Sequence, residues 1–340
     1  MSQQNNNVIA VFDIGKINKR FYLFDSWLNL VHTDERIFEE IRNNDGQQCE
    51  DIAEIRRWMH SCLLMTVREG RYSITMLNAT SARDTLESLR EHDNEIIFYE
   101  DNGFRFSAGG GTDETTASLV PYIKGTDRPF ILVSTGAWCK FINPFNDEPL
   151  SDEQQQNGRV SLINVNGQEI KSSQLLLGII HDSNVARLDD RFGVTGELYK
   201  TIRIRSNKIG RLMAGGPGRI FFRKGIPPGY VDNEADLSRF LTYADAYHQM
   251  VYDLVDVCLE SYRQIIAAND CTEIVYVTGG FAWNDTFVRI LAARLPDKRV
   301  FASRIENPTA LGAAMTVFET AFGTGLPSVY LGLKAIINND

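Results

Sequence analysis

Short apolar runs and turn-forming residues alternate over the first part of the chain. Apolar runs at residues 8–12, 20–24 and 30–38, separated by turn-forming residues, predict three β-strands. Apolar residues then recur at helical spacing over residues 51–68, and another apolar run covers residues 73–77. The pattern predicts the element order βββαβ.

A similar pattern begins again near residue 130. Apolar runs at residues 130–134, 138–142 and 160–165 predict three more strands, and residues 173–188 have helical spacing. The repeat of the pattern predicts two related lobes.

The remainder of the chain divides into an irregular part and a regular part. In residues 202–236, glycines and prolines interrupt every period, so we expect loops and short strands there. The regular part predicts an amphipathic helix, a strand, a helix, a strand and a helix, at residues 237–258, 273–277, from 284, 299–302 and 309–322.

Three glycine-containing turns follow apolar runs that are far apart in the sequence. They are Asp13-Ile14-Gly15-Lys16, Ser134-Thr135-Gly136-Ala137 and Thr278-Gly279-Gly280-Phe281. A strand that stops at such a turn exposes backbone N–H groups, which an anionic phosphate can approach without meeting a side chain. Together the turns predict one split site, in which two lobes close on a nucleoside triphosphate.

Composition and charge exclude several classes of protein. The chain has 340 residues, of which 43% are hydrophobic and 23% charged, which indicates a globular protein of two domains. A net charge of -9 argues against a nucleic-acid or anionic-membrane partner. No apolar run approaches the roughly 20 residues of a membrane helix, and the first residues do not resemble a signal peptide, so a cytoplasmic location is expected. The five cysteines include no CxxC pair, which favours buried thiols.

The motifs resemble those of the FGGY-type carbohydrate kinases of the actin/Hsp70/sugar-kinase fold, in the branch related to rhamnulokinase and fuculokinase. Asp13 to Lys19 resembles the first phosphate motif, Gly111 to Ala117 the catalytic-base motif, Ser134 to Trp138 the second phosphate motif, and Thr278 to Gly280 the adenosine motif. Two further segments, Asn143 to Leu150 and Pro308 to Ala314, also match.

The resemblance implies an α/β protein with the actin-like ATPase (ribonuclease H-like) fold, in which two βββαβα-type lobes surround a nucleotide cleft. Residues 1–125 would form a shortened sugar- and phosphate-binding lobe, and residues 126–335 a nucleotide-binding lobe.

The resemblance also implies roles for two carboxylates. Asp113 would be the general base that accepts the proton of a sugar hydroxyl, although it is equally suited to cap the helix that follows. Asp13 would associate with Mg²⁺ through water, and the alternative is an aspartate that serves a β-turn.

The remaining site residues are predicted to bind ATP. In the first phosphate motif these are Gly15, Lys16, Asn18 and Lys19, although two lysines in a turn are more often simply solvated. In the second half of the chain, Thr135 and Gly136 would donate to phosphates, whereas Gly279, Gly280 and Asn284 would contact the nucleoside. For the glycines, the alternative is a strand-to-helix turn that needs glycine for its own geometry.

The first lobe departs from the family. Only residues 78–110 separate the last strand of this lobe from the base motif, and the usual sugar contacts have no convincing counterpart, since Arg83-Asp84 is too generic a dipeptide. The resemblance implies an ATP-dependent kinase that transfers the γ-phosphate to a hydroxyl of a ketose-type sugar. The alternative is a catalytically weak or inactive nucleotide-binding relative, and an actin-like or chaperone-like ATPase ranks third. A small sugar is the predicted partner, and a homo-oligomer is compatible with the sequence.

Overall fold

The computed structural model describes residues 6–15, 18–42, 48–89, 109–157, 160–165, 168–216 and 218–338, which form two compact units. The first unit consists of Met1–Thr126 and Asn307–Tyr330, and the second of Asp127–Glu306 and Leu331–Asp340. The chain passes from the first unit to the second at residues 126–127, returns to the first at residue 307 and enters the second again at residue 331. The predicted division into lobes of residues 1–125 and 126–335 stays a prediction.

The first unit is built on a five-stranded sheet. Its strands are β1 (Asn7–Ile14), β2 (Asn18–Phe24), β3 (Leu30–Ile37), β6 (Ser73–Ser81) and β7 (Thr112–Asp113), in the order β3-β2-β1-β6-β7. The pairs β1–β2 and β2–β3 are antiparallel, whereas β1–β6 and β6–β7 are parallel. A separate two-stranded ladder joins β4 (Ile41–Arg42) to β5 (Gln48–Cys49).

Four helices of the first unit are α1 (Ile52–Glu69), α2 (Arg83–Leu89), α3 (Glu114–Gly125) and α9 (Pro308–Phe322). Helix α1 begins where Asp51 caps the N–H of Glu54 and ends at Gly70 in a left-handed conformation. Its apolar residues pack against those of β1 and β2 in one buried cluster. The predicted order βββαβ is therefore confirmed for this unit.

Helix α9 packs closely on α3 through a glycine. A Cβ atom at Gly312 would lie 1.8 Å from the carbonyl oxygen of Ala117, so no larger residue fits there. Asn78 of β6 also holds α9, because its Nδ2 donates to the carbonyl oxygen of Ala313 at 2.8 Å and to Thr316 Oγ1 at 2.9 Å. The last helix thereby completes the first unit.

The second unit is built on a seven-stranded sheet. Its strands are β8 (Phe130–Thr135), β9 (Cys139–Asn143), β10 (Val160–Val165), β11 (Gln168–Leu175), β12 (Ile274–Gly279), β13 (Arg299–Ser303) and β14 (Leu333–Ala335), in the order β10-β11-β9-β8-β12-β13-β14. The neighbours β8, β12 and β13 are parallel. Its helices are α4 (Asp152–Asn157), α5 (Leu177–Phe192), α6 (Ser206–Ala214), α7 (Tyr243–Arg263) and α8 (Asp285–Arg294).

Three sequence-based predictions are wrong in this unit. Residues 173–175, predicted to start a helix, are the end of β11, in which polar Lys171, Ser172 and Ser173 occupy buried positions. Residues 206–214 form α6 where loops and short strands were expected, since Gly210 lies on an open side of that helix. Helix α7 begins at Tyr243, not at residue 237.

Two further predictions concern membrane-spanning helices and the burial of the cysteines. Within the described ranges, no helix is both long and apolar enough to cross a lipid bilayer. Cys62, Cys139 and Cys258 are buried free thiols, as predicted, whereas Cys49 is half-buried and Cys271 is exposed.

A buried carboxylate fastens the irregular segment before α7 onto that helix. Asp253 Oδ2 accepts from the N–H groups of Ile220 and Phe221 at 2.9 and 2.8 Å, and Oδ1 accepts from Gln249 Nε2 at 3.0 Å. Burial raises the pKa of Asp253 to about 6, against the opposing effect of these hydrogen bonds. Between these two pKa values, the Asp253 carboxyl is protonated in the folded state but ionised in the unfolded state, where it has the ordinary aspartate pKa of 3.8.

We expect Asp253→Asn to gain stability relative to the wild type as the pH rises. Between pH 4 and pH 7 the wild-type carboxylate loses its proton at a cost to the folded state, whereas the amide does not titrate. The difference in unfolding free energy, variant minus wild type, should rise by on the order of 2–3 kcal/mol. Denaturant unfolding at the two pH values measures it.

Asp256 on the same helix provides the control. Burial opposes its ionisation, but hydrogen bonds from Arg294 and Arg219 outweigh this and lower the pKa of Asp256. Its carboxylate is ionised in both states above pH 4, so the Asp256→Asn difference should stay nearly constant between pH 4 and pH 7. A similar rise in both variants would contradict the assignment to Asp253.

Candidate functional site

Two of the predicted site carboxylates lie at one edge of the first unit's sheet. Strands β1, β6 and β7 are parallel, so their carboxyl ends share this edge. Ile14 pairs with Ser81, and Ser81 pairs with Asp113, which places Asp113 two strand spacings, roughly 10 Å, from the end of β1. Asp13 is the neighbour of Ile14, so the register brings both carboxylates to this edge.

Asp13 is held at the N-terminus of α9. Thr309 Oγ1 donates to Asp13 Oδ2 at 3.0 Å, and Tyr22 on the neighbouring strand donates to Asn307 Oδ1 at 2.8 Å. Asn307 precedes the first residue of α9, whose free N–H groups carry a partial positive charge. The Asp13 carboxylate is thus held by a contact with a residue far away in the sequence.

Burial dominates the ionisation of Asp13. It raises the pKa of this carboxyl to about 6, opposed by the Thr309 hydrogen bond and by the charge of Arg20, whereas the charge of Glu114 raises it further. A nearby cation would favour the ionised form. The described residues contain no group of three or more His, Cys, Asp and Glu side chains that could hold a metal. Because hydrated Mg²⁺ keeps most of its waters and needs few protein oxygens, the single carboxylate of Asp13 fits it.

Asp113 caps α3, as the alternative interpretation predicted. Its Oδ1 accepts from the N–H groups of Thr115 and Thr116 at 3.0 and 3.3 Å. Both capping bonds use the same oxygen, and Oδ2 has no hydrogen bond to any residue within the described ranges. The cap therefore fixes the side chain without using the oxygen that a base would need, and the role as base stays a prediction.

The first phosphate motif differs from the expectation of exposed lysines. Lys19 lies in β2, is 2% exposed, and its ammonium is paired with Glu50 Oε1. Thr85 donates to the other oxygen of Glu50 at 3.2 Å. Lys19 is thus a buried member of an ion pair, neither solvated nor in a turn, and Lys16 lies outside the described residues.

The other two residues of this motif form the end of the hairpin. A Cβ atom at Gly15 would approach the carbonyl oxygen of Asn18 to 2.9 Å, which favours glycine at this position. Asn18 is the first residue of β2 and pairs with Ile37 of β3. Phosphate binding by Gly15 and Asn18 stays a prediction.

In the second unit, the ends of β8 and β12 lie side by side. Gly279 pairs with Thr135, and a Cβ atom at Gly279 would lie 1.8 Å from the Thr135 carbonyl oxygen. Gly279 also has a φ of 84°, which other residues rarely adopt. The geometry of the turn is therefore enough by itself to explain why position 279 is a glycine, as the alternative interpretation states.

Two donors predicted for phosphate are engaged within the protein. The Thr135 hydroxyl donates to the carbonyl oxygen of Thr278 at 2.5 Å and accepts from the N–H of Phe281 at 3.0 Å. The Gly136 N–H donates to the carbonyl oxygen of Trp138 at 2.9 Å. Thr135 thus ties the two strand ends together.

Gly280 differs from Gly279 in its surroundings. It is exposed, and a Cβ atom built there meets nothing within 4 Å. Nothing in the fold therefore requires glycine at this position, and the open space beside it can accommodate a ligand.

Asn284 begins a chain of buried hydrogen bonds. Its Oδ1 caps α8 by accepting from the Phe287 N–H at 3.1 Å, and its Nδ2 donates to the Tyr247 hydroxyl at 2.7 Å. His181 Nε2 lies 3.1 Å from that hydroxyl, and His181 Nδ1 lies 2.7 Å from Asp182 Oδ1. The carboxylate assigns the histidine proton to Nδ1, so Nε2 accepts from Tyr247.

Three residues around these turns were not predicted from the sequence. Tyr247 and His181 lie in helices α7 and α5, and no local motif marks them. Gly178 near the start of α5 donates its N–H to the Ala137 carbonyl oxygen at 3.1 Å, and a Cβ atom there would lie 2.6 Å from the Gly136 carbonyl oxygen. A lone glycine at a helix start was the only available signal.

We expect Tyr247→Phe to lower the free energy of unfolding by about 1–3 kcal/mol, because it leaves the buried Asn284 amide and His181 ring nitrogen without their partner. Burial raises the pKa of Tyr247 above its ordinary value, so the hydroxyl stays protonated as the chain of donors requires. Denaturant unfolding measures the change. Tyr262→Phe is the control: its buried hydroxyl has no hydrogen-bond partner among the described residues, so its removal should cost nothing. Equal losses in both variants would contradict the hydrogen-bond argument.

Comparisons with known proteins concern the fold. Neither a protein-family model nor a curated protein sequence matches the chain. Among solved structures, the chain is similar to a carbohydrate kinase from Novosphingobium aromaticivorans, with a TM-score of 0.64, 14% identity, and 96% of each chain covered. The fold is that of the carbohydrate kinases.

Two more structures share this kinase fold with the chain. Xylulose kinase from Lactobacillus acidophilus has a TM-score of 0.67 and 11% identity, over 97% of this chain and 92% of that one. An activator of 2-hydroxyisocaproyl-CoA dehydratase from Clostridium difficile, with bound ADPNP, has a TM-score of 0.50 and 13% identity, over 92% of this chain and 95% of that one. The predicted α/β fold of the actin-like ATPase kind is confirmed.

Proposed function

We propose that the protein is an ATP-dependent carbohydrate kinase that transfers the γ-phosphate of ATP to a hydroxyl of a ketose-type sugar. The observation that carries this proposal is the pair of carboxylates, Asp13 and Asp113, at the carboxyl ends of the parallel strands β1 and β7 in a carbohydrate-kinase fold. Phosphoryl transfer needs alignment, charge neutralisation and a proton acceptor, and little covalent chemistry.

Asp113 is the proposed general base. Its Oδ1 is fixed by the N–H groups of Thr115 and Thr116, so Oδ2 is presented in a constant orientation. In the reaction, Oδ2 accepts the proton of the attacking sugar hydroxyl as the oxygen–phosphorus bond forms.

Asp13 is the proposed carboxylate for Mg²⁺, which it would hold through water. Bound Mg²⁺ supplies positive charge that neutralises the phosphates. Thr309 keeps the Asp13 side chain in place with its hydrogen bond to Oδ2.

The nucleotide is proposed to bind to the second unit, supported by the open space at Gly280 and by its turn, which Gly279 and Thr135 hold. Asn284 contributes through the cap of α8, and Gly136 lies in the turn that follows β8.

A second candidate function is nucleotide binding with weak or no catalysis. The shortness of residues 78–110, which run from within β6 to just before β7, favours it, because little chain is available there for a sugar pocket.

Two measurements on the same protein test the proposal. ATP with Mg²⁺ should raise the melting temperature by several degrees, since a ligand at 100 times its Kd stabilises the folded state by about 2.7 kcal/mol. ADP release should then depend on an added sugar from a screen of ketoses and polyols. No melting shift with millimolar ATP or ADP would contradict the nucleotide site. A shift without any active acceptor would favour the second candidate.

A further inference from the structure

A cavity of about 500 Å³ lies at the opposite edge of the sheet in the first unit. It is lined by the start of β1, by the turn between β2 and β3, and by the segment that leads from α1 into β6, including Asn6, Asp25, Ser26, Trp27, Arg71 and Tyr72. Val8, which also lines it, is five residues before Asp13 along β1, a distance of roughly 17 Å. The cavity is therefore separate from the carboxylate edge, and its volume is typical of small-molecule sites.

The turn between β2 and β3 carries Trp27, whose side chain lines this cavity. Asp25 Oδ1 accepts from the N–H groups of Trp27 and Asn29 at 2.8 and 2.9 Å, and Oδ2 accepts from Asn29 Nδ2 at 3.1 Å. Leu28 has a φ of 60°, a conformation that costs a residue other than glycine about 1–2 kcal/mol, and its side chain is buried. The turn is thus firmly fixed, yet the Trp27 side chain is 73% exposed.

A cationic group, the Arg71 guanidinium, also lines the cavity. The Arg71 guanidinium is 5.1 Å from the centre of the Tyr72 ring, and the Tyr72 hydroxyl donates to the Val31 carbonyl oxygen at 3.3 Å. This hydrogen bond fixes the ring, and the ring in turn supports the guanidinium through a cation–π contact. The cavity therefore combines an exposed indole with planar polar groups from Arg71, Asp25 and Asn6.

We propose that this cavity is a second, non-catalytic site for an uncharged sugar. The apolar C–H face of a sugar ring can lie on the Trp27 indole, while its hydroxyls bond to the planar guanidinium, carboxylate and amide. Arg71 and Asp25 carry opposite charges, so the lining suits a neutral ligand better than a nucleotide or a sugar phosphate. The inference rests on the cavity alone and does not require that the protein be a kinase.

Saturation-transfer NMR with a panel of unphosphorylated pentoses and hexoses tests the proposal. The wild type should transfer magnetisation to at least one sugar, with and without ATP. In Trp27→Ala the Kd for that sugar should rise at least about tenfold. Arg71→Ala should weaken binding as well, whereas Trp27→Phe should retain part of it because an aromatic face remains.

Two control variants distinguish this site from others. Trp283 is another exposed tryptophan, 55% exposed in the second unit, so Trp283→Ala should bind the sugar as the wild type does. Asp113→Asn should also leave this binding unchanged, because Asp113 is at the other edge of the sheet. The proposal is overturned if no sugar of the panel binds, if Trp27→Ala binds as tightly as the wild type, or if Asp113→Asn abolishes the signal. Either of the last two outcomes would remove the second site without contradicting the proposed kinase site.

Discussion

Replacement of Asp113 by asparagine is expected to lower sugar-phosphorylating turnover by about 100-fold or more, with little change in the free energy of unfolding. Asparagine caps a helix about as well as aspartate, and its Oδ1 can keep the bonds from Thr115 and Thr116. An amide does not accept a proton at neutral pH, so the loss should fall on kcat. Turnover is measured with the acceptor found in the sugar screen, and stability by denaturant unfolding.

The chain offers a matched control for this substitution. Asp51 caps α1 with the same type of bond, from its side chain to the Glu54 N–H at 2.9 Å. Asp51→Asn should change neither turnover nor ATP affinity. Asp113→Ala, by contrast, removes the cap as well as the base and should cost about 1 kcal/mol of stability. Turnover in Asp113→Asn equal to that of the wild type would remove Asp113 as the base and leave it only the cap.

An added methyl group should lower stability strongly at Gly279 and hardly at all at the adjacent Gly280. Gly279→Ala places a Cβ atom 1.8 Å from the Thr135 carbonyl oxygen at a φ of 84°, so we expect a loss of stability on the order of 3 kcal/mol or more. Gly280→Ala meets nothing within 4 Å and should change stability by less than about 0.5 kcal/mol.

The bulkier Gly280→Val tests the ligand role of the open space. Its side chain should occupy space that the nucleoside needs and raise the Kd for ATP at least about tenfold. Titration calorimetry beside a thermal melt separates binding from folding. A Gly280→Val protein that melts like the wild type and binds ATP equally well would show that the nucleotide does not use this space.

The elements that the sequence predicted well are those with a simple apolar pattern. Strands β1, β8 and β12 are continuous apolar runs that end at a glycine turn, and both the runs and the turns are local features. Strand β11 was missed because Lys171 and two serines occupy its buried positions, where only partners from elsewhere in the chain make polar residues acceptable. Ser173, for example, donates to the Ser261 carbonyl oxygen at 2.7 Å.

Contacts between residues far apart in the sequence were also not predictable for the candidate site. The sequence identified the turns, but it could not show that the Thr135 hydroxyl is engaged by Thr278 and Phe281, which are more than a hundred positions away. It could not show that Lys19 meets Glu50 instead of solvent. The return of α9 to the first unit includes a close contact between Gly312 and Ala117, and a single glycine in a helix gives no indication of its partner.

The position of α9 has a consequence for how the protein is made. The first unit needs residues 307–330 to be complete, and the second unit includes Leu331–Asp340, so neither unit is one continuous stretch of chain. During synthesis, the sheet of the first unit must wait on the ribosome, without its Thr309 and Asn307 contacts, until the whole of residues 127–306 has been translated. A gene cut after codon 126 would for the same reason yield a fragment with an uncovered apolar surface where α9 belongs, prone to aggregation and to capture by chaperones.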